Sequence, residues 1–88
     1  MKLCGEFVVR QVMDQVVAVP VGQTALQFNG MILLNDVSKL IWQTLEKGAA
    51  FADILTAVTD AFAVSPEEAK ADIEEFLDKL RKLQLLEE

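Results

Sequence analysis

Catalysis needs groups that move protons, attack carbonyls or hold metals, and this sequence has few of them. It contains no His, no Tyr and one Cys, Cys4. Without His, no Ser–His or Cys–His couple and no His-ligated metal site can be built. Cys4 has no basic neighbour except Lys2, which makes it an ordinary free thiol. Fourteen Asp and Glu stand against eight Lys and Arg, a formal charge of −6. The acids fall mostly on solvent-facing helix positions, the pattern of a solvated face rather than of an acid–base pair. The one Trp, Trp42, reads as a packing residue on a helix. Neither a metal nor a cofactor is expected, and the composition describes a module that binds rather than reacts.

Other classes fall away by the same arithmetic. The 88 residues allow one small domain, spanning 1–88, and 52% of them are apolar. A chain of this size buries roughly 60–65% of its unfolded surface, so its core must be rich in apolar residues. That hydrophobicity, with interspersed charges, excludes disorder. No run of about 18 apolar residues survives the charges, so no membrane-spanning helix is expected. Met1–Glu6 meets charge before any apolar stretch, which argues against a signal peptide. A single Cys cannot form an internal disulfide, which suits a reducing, cytoplasmic setting.

The elements change character near residue 35. Before it the chain is β-branched and alternating; after it the apolar period is near 3.6. Phe7–Val12 and Val16–Val19 read as a hairpin, with Pro20 ending its second strand. Met31–Leu34 reads as a third strand. Between them, Ala25–Phe28 either pairs with the third strand across Asn29-Gly30 or forms a loop. The first helix starts at Asn35, a good cap, and stops at Lys47-Gly48. The second runs from Phe51 to Phe62, behind the poor cap Ala50. The third opens with Ser65-Pro66-Glu67-Glu68, the strongest start signal in the chain. Its spacing predicts i, i+4 ion pairs Glu75–Lys79 and Asp78–Lys82. Leu85-Leu86 then folds back or continues as a short extended tail. The order β-β-β-α-α-α predicts an α+β, winged-helix-like domain: a three-stranded antiparallel sheet followed by three helices.

A winged helix raises nucleic acid first, and the charges oppose it. The first half of the third helix carries Glu67, Glu68, Asp72, Glu74 and Glu75 against Lys70 alone. Each phosphate contact needs a cation. The third strand offers something different. If the strands pair in chain order, it is a sheet edge with no Lys or Pro to block pairing. Such an edge can take an extended peptide; alternatively both of its faces are simply buried under helices.

At this point a resemblance enters. Phe28-Asn29-Gly30-Met31-Ile32-Leu33-Leu34-Asn35-Asp36, Leu40-Ile41-Trp42 and Gly48 resemble the PqqD family. So do Ser65-Pro66-Glu67-Glu68-Ala69, Ala71-Asp72-Ile73, Phe76-Leu77-Lys79-Leu80 and Gln84-Leu85-Leu86. The resemblance implies a non-catalytic recognition element that holds the leader of a ribosomally made precursor peptide. It presents that peptide to a modifying enzyme, often a radical SAM enzyme. It also implies that the leader adds as a strand beside the third strand and packs on the third helix. Two positions depart from the family pattern: Ala50 stands where Ser or Thr is common, and Gln84 where Gly is usual. Gly22–Asn29 is longer than in members of the PQQ pathway, which suggests a divergent branch serving another peptide.

The expected binding residues are Met31, Ile32, Leu33 and Leu34 on the strand. On the helix they are Phe76, Leu80 and Leu83 as an apolar floor, with Asp72 and Lys79 at the rim. Because side chains alternate, Ile32 and Leu34 are the expected core pair and Met31 and Leu33 the leader-facing pair. Lys70, Lys79, Arg81 and Lys82 either steer an acidic leader or only support the helix. The expected partners are a leader peptide and its modifying enzyme, with no nucleic acid and no membrane. The expected state is a monomer or a weak edge-mediated dimer. The competing reading is a winged-helix regulator that binds DNA or dimerises.

Overall fold

Phe7–Val12 (β2) and Gln15–Pro20 (β3) form an antiparallel hairpin, paired from Phe7↔Pro20 to Val12↔Gln15. Its two-residue turn places Met13 at φ +59. Ile32–Leu34 (β4) pairs antiparallel with the other side of β3, so the sheet order is β2-β3-β4. A computed structural model describes all residues, Met1–Glu88. Three helices follow the sheet: Asp36–Glu46 (α2), Phe51–Ala61 (α3) and Pro66–Lys82 (α4). The α+β fold expected from the sequence is therefore present.

Two features were not anticipated. Gly22–Gln27 is a short helix (α1), which takes in most of Ala25–Phe28, the segment expected as strand or loop. Ala25–Phe28 therefore does not pair with β4 across Asn29-Gly30; Phe28–Met31 link α1 to β4. The helix is anchored from outside: the Glu6 N–H donates to Thr24 Oγ1 at 2.7 Å. Gly5 makes that approach possible, at φ +90, because a Cβ there would lie 2.9 Å from the same oxygen. The second feature is a small sheet between Lys2–Leu3 (β1) and Leu86–Glu87 (β5), in register Lys2↔Glu87 and Leu3↔Leu86. The closing Leu85-Leu86 thus folds back onto the N-terminal residues.

Ala18, Ile32 and Leu34 bring the sheet's inner face into one core. Ile41, Trp42 and Leu45 of α2 meet it, as do Ile54 and Val58 of α3 and Ile73, Leu77 and Leu80 of α4. Each fully buried Ile or Leu side chain contributes about 1.5–3 kcal/mol by leaving water. Trp42 has no exposed surface and stacks edge-on with Phe7, ring centroids 5.2 Å apart, which places it in the packing role expected of it.

The helix ends follow the sequence signals with one substitution. Asn35 and Ser65 cap α2 and α4. Gly48 takes the left-handed conformation past α2, at φ +78. At α3, Ala50 has no capping side chain, but the Asp53 carboxylate accepts from the Ala50 N–H at 3.0 Å. One half of a capping box therefore remains.

Candidate functional site

The register of the sheet settles which backbone groups of β4 are free. In an antiparallel ladder, successive residues of a strand bond alternately to one neighbour and the other. The Val21 N–H donates to the Glu6 carbonyl at 3.0 Å, continuing the β2–β3 ladder past Phe7↔Pro20. Pro20 has no N–H and sits at the position that needs none toward β2. The odd-numbered residues of β3 thus bond to β2, and Val16 and Ala18 turn toward β4. Their partners are Leu34 and Ile32. Leu33, opposite Val17, therefore directs its N–H and C=O away from the sheet, at an edge with no strand beyond it.

Alternation gives the side chains the complementary arrangement. Ile32 and Leu34 are 3% and 5% exposed, inside the core, whereas Met31 and Leu33 are 59% and 56% exposed. A β4 edge buried on both faces is thereby excluded. The outward backbone of Leu33 opens onto a groove of about 760 Å³ between β4, the start of α2 and α4. Val37 and Ile41 of α2, with Phe76 and Leu83 at α4, supply its apolar wall. Asp72, Glu75, Asp78, Lys79 and Lys82 form its charged rim.

The capping box of α2 is part of this wall. The Ser38 N–H donates to Asn35 Oδ1 and the Asn35 N–H to Ser38 Oγ, both at 2.8 Å. The helix thus starts one residue after β4 ends, and Asn35 and Ser38 both line the groove.

Of the expected binding residues, Leu33, Asp72, Phe76, Lys79 and Leu83 meet in this groove. Met31 lies just before β4, exposed on the side chain's outward turn. Ile32 and Leu34 take the core positions expected of their side chains, but as binding residues they and Leu80 are corrected. The side chains of Ile32 and Leu34 are in the core and their backbone groups face β3. Leu80 is fully buried beneath the α4 face, so all three support the groove from below. Val37, Ile41, Asn35 and Ser38 were missed as wall residues. Helical periodicity alone does not show which side of α2 meets the groove; the direct β4–α2 junction turns this part of the helix toward it.

The rim charges also depart from the i, i+4 expectation. Asp78 pairs with Arg81 at 2.7 Å, and Arg81 reaches Glu88 at 2.7 Å as well. Glu75–Lys79 and Asp78–Lys82 do not form, and these two are the ion pairs present. Hydrogen bonds from Arg81 hold the Glu88 carboxyl below its ordinary range, and Glu88 in turn raises the Arg81 guanidinium.

No group of three or more His, Cys, Asp or Glu is placed to hold a metal ion. No helix is long and apolar enough to cross a membrane. An open strand edge beside an apolar groove can do one thing well, which is to accept an extended chain.

The profile of the family described as coenzyme PQQ synthesis protein D, PqqD, matches residues 9–86. The chain belongs to the PqqD family. Among solved structures it is similar to TbiB1 in complex with the TbiA(beta) leader peptide. The two are 26% identical, with a TM-score of 0.74, over 99% of this chain and 95% of that one. No curated protein matches the chain. The strand and groove described above thus belong to a PqqD-family fold, one of whose structural relatives holds a leader peptide.

Proposed function

We propose that this PqqD-family chain is a non-catalytic recognition element that binds the leader of a ribosomally made precursor peptide. The observation that carries this reading is the outward N–H and C=O of Leu33, set at an open edge against the groove walled by Val37 and Phe76. A leader adds antiparallel or parallel to β4 as a fourth strand. Each new backbone hydrogen bond contributes about 0.5–1.5 kcal/mol. Its alternate side chains fall on two surfaces: one set enters the groove toward Phe76 and Leu83, the other lies beside Leu33 and Met31 on the sheet's outer face. The leader complex of the similar TbiB1 supports the peptide as occupant.

The bound precursor is presented to a modifying enzyme, by the family resemblance a radical SAM enzyme, in the cytoplasm. By the resemblance, Gly22–Asn29, which carries α1, is longer than in members of the PQQ pathway, and this supports a peptide other than the PQQ precursor.

The test is NMR titration with the leader of a short precursor encoded beside this chain. Shifts are expected at Met31–Leu34, Val37 and Asp72–Leu83. Leu33→Pro removes the outward N–H and leaves the β3–β4 ladder intact, so affinity should fall by about 1–3 kcal/mol. Shifts confined to α3 and the C-terminal half of α2 would overturn the assignment.

A further inference from the structure

The rim of the groove is electrically divided, and the division is maintained by residues outside it. Asp72 and Glu75 stand in the first part of the α4 rim, Lys79 and Lys82 in the last. All four are exposed and none has an ion-pair partner. Lys79 follows Asp72 by two helical turns, about 10–11 Å along the axis, and Lys82 follows Glu75 by the same distance. Sequence spacing alone would have neutralised this pattern through Glu75–Lys79 and Asp78–Lys82. Arg81 prevents part of that: its Nη1 takes Asp78 at 2.7 Å, while its Nε and Nη2 hold Glu88 at 3.1 and 2.7 Å. Asp78, the one acid of the last turns that lines the groove, is thereby committed and Lys82 is left free.

We propose that the groove selects a leader segment of mixed charge, with an acidic side chain against Lys79 and Lys82 and a basic one against Asp72 and Glu75. Arg81 is a positioning residue that keeps the lysines available by engaging Asp78. This rests on the peptide-binding reading above and adds the class of peptide. Side chains of an added strand that face α4 recur every second residue, at about 6.7 Å. The acid and the base therefore stand two or four residues apart, within an otherwise apolar extended segment. The same division disfavours uniformly acidic or uniformly basic peptides, which meet like charge at one end.

A random dodecapeptide phage library tests this. It is selected on the wild-type protein, and clones are counter-screened on Leu33→Pro to isolate those bound at the strand edge. Edge-dependent clones should be enriched in Asp or Glu two or four residues from Lys or Arg. A synthetic peptide from such a clone should lose about 3–10-fold in affinity at low salt when its acid is changed to Gln. The difference should shrink at high ionic strength. Lys79→Gln with Lys82→Gln should abolish it. Arg81→Gln, which releases Asp78 toward Lys82, should weaken the acidic peptide about 2–5-fold and leave its Gln form unchanged. A purely structural role for Arg81 would weaken both forms alike. Edge-dependent clones with no charge pattern, or with equal affinity for acid and Gln forms, would overturn the inference and leave the groove reading in place. A library with no edge-dependent clones would overturn both.

Discussion

Asn35 and Ser38 close a reciprocal pair of hydrogen bonds, each side chain accepting the other's backbone N–H at 2.8 Å. Ser38 is 8% exposed, so its hydroxyl has little access to water in exchange. The pair joins the edge strand β4 to the wall helix α2 without a loop and so fixes the angle between them. Asn35→Ala should cost about 1–2 kcal/mol in urea unfolding, whereas Asn35→Asp should cost little because it keeps the acceptor. If alanine and aspartate are equally mild, the box is not what positions α2.

Gln84 occupies the left-handed region at φ +60, just after the C-cap Leu83. The Leu85 N–H reaches back to the Leu80 carbonyl at 2.9 Å, so the chain reverses there to bring Leu86 to β1. A side chain in this conformation costs roughly 1 kcal/mol that glycine avoids. Gln84→Gly should therefore raise stability by about 0.5–1 kcal/mol in the same unfolding measurement. An unchanged or lowered midpoint would mean that the Gln84 side chain, or its restriction of the unfolded chain, offsets the strain.

These two helix ends show what local sequence carries. Asn35, Ser65 and Gly48 announce their roles because capping and left-handed positions demand particular side chains. The alternation of Ile32 and Leu34 with Met31 and Leu33 likewise predicts the burial observed. By contrast, α1 has no side-chain cap at Val21 and no acid in its first turn, and is held by Thr24 to Glu6 from another element. The β1–β5 pair consists of two residues a side and exists only through contact between distant segments. The ion-pair expectation failed for a related reason. Counting i, i+4 partners cannot see Glu88, which approaches Arg81 only once the chain has reversed at Gln84.

Glu88 supplies a pH test of that network. Its carboxyl lies below the ordinary range, chiefly through hydrogen bonds donated by Arg81. A depressed folded-state value means that the link is complete at neutral pH. It is lost as pH falls through the folded value, below the ordinary carboxylate range. Carbon-13 NMR of the Glu side chains should show Glu88 titrating below the ordinary carboxylate range. Arg81→Gln should return it to that ordinary range. A Glu88 midpoint indifferent to Arg81 would remove the pairing from the account of the rim.

The acidic start of α4 makes a prediction against the competing regulator. Glu67, Glu68, Asp72, Glu74 and Glu75 would face a phosphate backbone with Lys70 alone beside them, on a chain of charge −6. Double-stranded DNA should not bind even at low salt, where electrostatic attraction is at its strongest. Micromolar, sequence-specific retardation in a gel-shift assay would reverse that conclusion and favour the winged-helix regulator.

The open edge proposed to accept a peptide is also a surface on which two copies can meet. Around Leu33, the outward N–H and C=O of one β4 can pair with those of another across a two-fold axis, with the exposed Met31 and Leu33 side chains alongside. The strand is short, Ile32–Leu34, so such a pairing gains few hydrogen bonds and covers little apolar surface. The chain should therefore be a monomer in dilute solution and dimerise weakly as concentration rises. Leu33→Lys places a charge on the edge and should suppress that association, as should any peptide bound beside β4. Sedimentation velocity across a hundredfold concentration range distinguishes the cases. A dimer that persists at the lowest concentration, and is indifferent to both the substitution and the peptide, must use a surface other than the β4 edge.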